Sequence, residues 1–280
     1  MDKKIREKLI VYQEELIAQT AIPPLKDRVP LLYNNTVFAT LEPGLIGRIS
    51  QLYSKKNPRS MIWDYHYHAD GYLSHLSWEA KPFNYQLAVV AQLLKDDQLA
   101  GPWRNELLAV KDTDGNELGA IERGVCRQLG IETEAIHLVG YCGKDDVWVQ
   151  QRAHNKPNDP SKWDTLVGGM ISSEDNLLSA LERETWEEAG LLVAELKILA
   201  THGKLHQRRP CEDGYGAYLA ETVHWMTARV PSLIKPVNQD GEVAQFALLP
   251  AKTVLEMILA NEFTIEASLI LLEALKHKFR

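Results

Sequence analysis

Glu184, Glu187 and Glu188 lie in the stretch 168-GGMISSEDNLLSALERETWEEAGL-191, at a spacing that costs an isolated helix stability. At about 100° per residue, Glu187 and Glu188 stand about 60° and 40° to either side of Glu184, so the three carboxylates share one helix face. Leu178, Leu181, Thr185 and Ala189 make a neighbouring stripe that can pack on a sheet. The i,i+4 pair of like charges, Glu184 and Glu188, destabilises such a helix by roughly 0.2–0.5 kcal/mol, and acids in the last turn also oppose the helix dipole. Arg183 reaches Glu187 at i,i+4, which leaves two acids without a counter-charge. Hard-cation chemistry supplies the remedy: Mg²⁺ takes oxygen ligands from a rigid element and fills its other positions with water and phosphate oxygens. The alternative is a solvated acidic face, which is what most charge runs are.

The elements that must hold this helix are legible around it. Apolar positions Ile5, Leu9, Tyr12 and Leu16 give the first 20 residues one helix face, and the prolines of 22-IPPLKDRVP-30 end it. A strand over 35–44, helices over 44–53 and 83–101, an extended aromatic segment over 61–78 and a hairpin over 106–122 with an Asp-Gly turn follow. These make residues 1–128 a small α+β domain. In residues 129–280 the runs 136-IHLVGYCG-143 and 146-DVWVQQRA-153 form a second hairpin, and 165–170 leads into the acidic helix. Strands over 192–203, 214–226 and 244–250 and helices over 251–262 and 265–279 complete an α/β/α sandwich with a mixed sheet.

Composition narrows the function. The net charge is -7 over 280 residues. That argues against an extended nucleic-acid surface and leaves a small phosphorylated ligand open. Cys126, Cys142 and Cys211 are odd in number and far apart, which fits reduced thiols in a cytoplasmic protein. The charged N-terminus is no signal peptide, and no apolar run is long enough to span a bilayer. The oligomeric state is open, a homodimer included.

Gly169, Asp175, Arg183-Glu184, Glu187-Glu188 and Gly190-Leu191 together resemble the Nudix box, G-x5-E-x7-R-E-U-x-E-E-x-G-U with U apolar, and seven of its positions agree over 23 residues. Two positions depart: Asp175 replaces a glutamate that in the family mainly supports loop and helix, and Thr185 replaces an apolar residue. Neither touches the acidic face, so activity is expected to survive. The resemblance implies the α/β/α Nudix sandwich and Mg²⁺- or Mn²⁺-dependent hydrolysis of a diphosphate joined to another group. Carried over, Glu184, Glu187 and Glu188 would hold metal, the Gly168 carbonyl would add a ligand, and Arg183 would orient Glu187. The general base differs between family members, with Glu212, Glu221 and Glu242 as further candidates beside the helix acids.

The runs 102-PWRNELLAVKD-112, 137–143, 147–153, 163-WDTLVGGM-170 and 241-GEVAQF-246 are similar to thiamine-pyrophosphokinase-related Nudix hydrolases, which carry an N-terminal α+β domain. That similarity implies hydrolysis of thiamine diphosphate or its oxidised forms to the monophosphate. A nucleotide sugar, a dinucleotide, or a catalytically silent metabolite-binding module are the alternatives. Arg152 could bind phosphate or make an ordinary ion pair, Trp148 could stack on an aromatic ring or pack, and the basic run 202–209 reads as a solvated loop, with contact to phosphate as the alternative. His66, His68 and Asp70 alternate on one strand face, as in some zinc sites, but the pattern is incomplete and a polar strand face is the plainer reading.

Overall fold

The structure is a computed structural model that describes residues 3–58, 60–78, 82–211 and 216–276; Glu212 and residues 277–279 of the expected last helix lie outside them. The chain opens with α1 (Lys3–Gln19), then β1 (Val29–Tyr33), β2 (Thr36–Leu41), α2 (Pro43–Lys56), β3 (Asp64–Tyr67), β4 (Leu73–Trp78) and α3 (Phe83–Asp96). The four strands align in the order β2-β1-β4-β3, with β1 and β4 parallel and the other pairs antiparallel. Their apolar face and the two helices α2 and α3 bury one core, in which Phe38, Trp78 and Phe83 meet ring to ring. The expected hairpin follows as β5 (Leu107–Lys111) and β6 (Glu117–Glu122), and Leu108, Val110 and Ile121 join the same core. Its turn is fixed by Asp112 Oδ1, which accepts from the backbone of Asp114 at 2.9 Å and Asn116 at 2.8 Å.

The second unit adds β7 (Glu132–Cys142), β8 (Asp146–Arg152), β9 (Trp163–Asp164), β10 (Val167–Met170), α4 (Leu177–Ala189), β11 (Lys197–Pro210), β12 (Tyr218–Arg229), β13 (Val243–Pro250), α5 (Ala251–Leu259) and α6 (Ile265–Ala274). Strands order as β11-β12-β7-β8-β13, with β10 on β7 and β9 on β8. The β12–β7 pair is parallel and its neighbours are antiparallel, so the sheet is mixed as expected. Alternation along β7 sends Ile136 and Leu138 to a core under α4, and Ala135 and Val139 to a core under α5 and α6. This is the α/β/α sandwich.

The first helix departs from a division at residue 128. Leu9 and Leu16 of α1 are buried in the core beneath α5 and α6, where each contributes roughly 1.5–3 kcal/mol of hydrophobic stabilisation. Another difference concerns 192–210. Val193–Glu195 form a 3-10 turn, and β11 runs on to Pro210. The cluster 202–209, expected as a solvated loop, is therefore the body of an edge strand paired with β12. Its basic residues hid the strand because register shifts after Ile198 and Thr201 break the simple alternation.

Candidate active site

The α4 helix is built to present its acids from a fixed frame. Asn176 caps it, accepting from the backbone N–H of Leu178 at 2.9 Å and Ser179 at 3.1 Å, while Ser179 Oγ accepts from the Asn176 N–H. Gly190 ends it at φ +61°, the left-handed conformation that closes a helix without a Cβ penalty. Ala180, Leu181, Thr185 and Ala189 are buried against the sheet, which turns the glutamate face toward β10.

Arg183 is the centre of this face. Its Nη2 donates to Asp175 Oδ2 at 2.7 Å and to the Met170 carbonyl at 2.9 Å; its Nη1 donates to Glu184 Oε1 at 2.8 Å and Glu187 Oε2 at 3.2 Å. Burial pushes Asp175 up, but hydrogen bonds from Arg183, Ser172 and Ser179 outweigh it and hold the carboxyl below its ordinary range. The shorter acid thus fastens the loop to the helix, as a supporting acid should.

Glu188 lies deeper. Its Oε2 accepts from the Gly168 N–H at 2.8 Å and from Gln150 Nε2 at 2.9 Å. Burial, and then the neighbouring Glu184, pushes the Glu188 carboxyl up to about 8. Burial likewise raises Glu184 to about 7 against the pull of Arg183. Glu187 is far more open, with its side chain 45% exposed. Position 169 admits no side chain, since a Cβ there would stand 1.9 Å from the Glu184 carboxyl carbon.

A divalent cation fits these residues by charge and chemistry. Two buried carboxylates repel each other, and the single nearby guanidinium is already shared with Asp175 and Glu187. All the donors on offer are hard oxygens. The side chains do not already converge: among the described residues no group of three or more His, Cys, Asp or Glu is arranged to hold a metal ion. Arg183 takes up Glu184 and Glu187, and Gly168 and Gln150 take up Glu188. The same finding covers His66, His68 and Asp70. His66 instead bonds Ser77 at 2.8 Å and stacks on His75 at 4.2 Å.

Glu184, Gly168 and Gly169 open onto a cavity of about 530 Å³, and Glu184 and Glu187 also border a second of about 480 Å³. Arg152 lines the larger one; its Nη1 donates to Asp164 at 3.4 Å, its Nη2 to the Asn158 carbonyl at 3.1 Å, and its Nε is buried without a partner. Arg123, Arg127, Lys156 and Arg209 add positive charge to the same wall, Arg123 and Arg127 arriving from the chain just before β7. Glu242 borders both cavities and is bonded by Lys156, whose charge outweighs burial and keeps this acid below its ordinary range.

Trp148 requires a correction. It is only 8% exposed and packs in the core beneath α4, on the strand face it shares with Gln150, so its ring stacks on no ligand. Trp103 packs beside Lys95 in the first core and Trp163 beneath α6. Among the described residues that line the larger cavity there is no Trp, Tyr or Phe; His137 supplies its one aromatic ring. Gln150 escaped the sequence reading, although period-2 alternation from Trp148 and Arg152 places it on their face. Of the basic run 202–209, the structure brings Arg209 to the larger cavity, from a strand and not from a loop.

The chain matches the family description "NUDIX domain" over residues 131–268. The chain is 29% identical over 189 residues to "Nudix hydrolase 24, chloroplastic" of Arabidopsis thaliana, covering 63% of this chain and 49% of that protein. To "Nudix hydrolase 20, chloroplastic" of the same plant it is 28% identical over 218 residues, 75% of this chain and 58% of the relative, a longer stretch than the NUDIX domain. The chain spans about half the length of these curated relatives. Among solved structures, the crystal structure of DR0079 from Deinococcus radiodurans aligns with a TM-score of 0.44 at 18% identity, covering 57% of this chain and 92% of that one.

Proposed function

We propose that the NUDIX domain hydrolyses a small organic diphosphate with the help of Mg²⁺ or Mn²⁺. The observation that carries this is the set of α4 acids held around Arg183 against Gly168 and Gly169, opening on a cavity whose wall mixes acids with Arg123, Arg127, Arg152, Lys156 and Arg209. Glu184, Glu187, Glu188 and the Gly168 carbonyl would hold the metal, which when bound would neutralise the diphosphate and acidify water. Arg152, Lys156 and Arg123 offer further positive charge for the phosphate oxygens. Arg183 keeps Glu184 and Glu187 in place, and Asp175 keeps Arg183 in place. Water adds to one phosphorus, the bridging P–O bond breaks, and the water proton passes to a carboxylate. Glu188 and Glu242 are the two acids set apart for that duty, one buried on the helix and one bordering both cavities.

Within this class, thiamine diphosphate and its oxidised forms are the substrates implied by the subfamily resemblance, cleaved to monophosphate and phosphate. The arginines and Lys156 of the wall suit the diphosphate end, while the lining offers the organic ring Met170, Leu219 and His137 and no Trp, Tyr or Phe. The cytoplasm is the proposed compartment, since Cys126, Cys142 and Cys211 form no disulfide with one another. Steady-state kcat/KM on purified protein against thiamine diphosphates, nucleotide sugars and dinucleotides tests the substrate. A nucleotide compound that exceeds every thiamine compound by ~100-fold, a gap of ~2.7 kcal/mol, overturns the thiamine assignment and leaves the hydrolysis standing.

A further inference from the structure

Glu221, one of the acids the resemblance left open as a base, lies in the larger cavity on a strand and not on the helix of Glu184, Glu187 and Glu188. It stands on β12 opposite Thr133 of β7, is 9% exposed, and lines both the 530 Å³ cavity and an adjoining one of about 80 Å³ bounded by Pro102, Arg104 and Gln128. Its carboxylate accepts one hydrogen bond, from Thr133 Oγ1 at 3.3 Å, and it takes part in no ion pair among the described residues. A carboxylate can accept about four hydrogen bonds, so most of this buried group's capacity is unmet on the side that faces the cavity. The charges that act on it most are Glu266, Arg127 and Arg123, none of them on α4, which sets it apart from the hydrolytic acids.

Glu266, its acidic neighbour at the start of α6, is satisfied by contrast. Gln207 Nε2 donates to it at 2.8 Å and Arg209 lies 3.6 Å away. At this end of the cavity Glu221 is therefore the acid left with spare acceptor capacity, which a polar ligand in the cavity can take up.

We propose that this end of the cavity receives the organic group of the diphosphate and that Glu221 accepts a hydrogen bond from an N–H donor on it, selecting diphosphates of amino-bearing heterocycles. The proposal rests on the diphosphohydrolase reading for its substrate. The physical basis is the asymmetry of a buried acceptor: a ligand with an N–H group satisfies Glu221, and a ligand without one leaves it desolvated and unmet.

The test uses the full chain and the variants Glu221→Gln and Glu221→Ala, with melting temperatures to show that each folds. Hydrolysis with Mg²⁺ is measured on two amino-bearing compounds, thiamine diphosphate and ADP-ribose, and on isopentenyl diphosphate, which has no N–H group. Calorimetry measures binding of thiamine and adenosine, which lack the diphosphate. Glu221→Ala is expected to lower kcat/KM for the better amino-bearing substrate at least ~10-fold while isopentenyl diphosphate stays within ~2-fold, and to weaken binding of the matching diphosphate-free compound by a similar factor. Glu221→Gln, which keeps one acceptor, should lose less. An equal fall on both substrate classes, no fall at all, or no binding of either amino compound overturns the assignment. If no diphosphate is cleaved but binding still depends on Glu221, the hydrolysis reading fails and the assignment stands.

Discussion

Arg183 and Arg209 are both guanidiniums set beside glutamates, Arg183 at the wall of the 480 Å³ cavity and Arg209 at that of the 530 Å³ one, yet they are assembled in opposite ways. Every side-chain partner of Arg183, namely Asp175, Glu184 and Glu187, lies within eight residues of it. Arg209 meets Glu266 from a strand edge, 57 positions away in the chain. The first arrangement depends on helix spacing and one loop; the second depends on β11 finding its register against β12 and on α6 docking over the sheet. The α4 side is accordingly where a single change should act most sharply on chemistry, and the α6 side where it should act on recognition.

The largest expected effects lie on α4. Glu187→Gln or Glu188→Gln should reduce turnover by at least ~10²-fold at saturating Mg²⁺, with KM little changed, since each removes a charge aimed at the reacting centre. Full turnover in one variant would discharge that residue, and full turnover in both would erase the distinction between the two sides. Gly169→Ala should come next. Its methyl group must displace the Glu184 carboxylate, so metal affinity measured by Mn²⁺ titration should fall on the order of tenfold while the fold persists. Unchanged affinity would mean that Glu184 does not hold the metal.

These two sides also explain what could be read from the sequence. The α4 acids, Arg183 and the glycine before them follow from helix geometry and a contiguous spacing, and the strands β7 and β8 follow from short apolar runs. The α6-side wall draws Arg209 from β11, Glu221 from β12 and Glu266 from α6, and no local period connects them. Trp148 failed for a related reason: alternation places it on the Gln150 face, but only the packing of α4 decides that this part of the face is core. In α1, the apolar stripe was legible and its destination was not, because the helix crosses to the core beneath α5 and α6.

Smaller effects sharpen the contrast. Arg209→Ala should raise KM by up to ~10-fold and leave kcat within ~2-fold, the signature of uniform binding. An equal loss in kcat would place Arg209 in the chemistry. At the junction of the two units, Lys111 of β5 and His224 of β12 both bond Glu134 of β7. The hydrogen bond from His224, helped by Lys111 against the opposing effect of burial, holds the Glu134 carboxyl down to about 2 from the usual 4.5. Because the folded value is depressed, its stabilisation is present above about pH 4.5 and is lost as pH falls toward 2. Melting curves of wild type and Glu134→Gln should therefore differ most near neutrality and converge below pH 4, with the variant the less stable. Parallel curves would show that this acid does not tie the units together.

The most direct measurement follows phosphate release from a panel of small organic diphosphates by the wild-type chain and by Glu188→Gln, each with Mg²⁺ and with excess EDTA, using ³¹P NMR to identify products. Release of an organic monophosphate by the wild type, abolished by EDTA and reduced at least ~10²-fold in the variant, is the expected result. Hydrolysis that persists in EDTA, or that proceeds equally in Glu188→Gln, would contradict a metal-dependent reaction at the α4 acids.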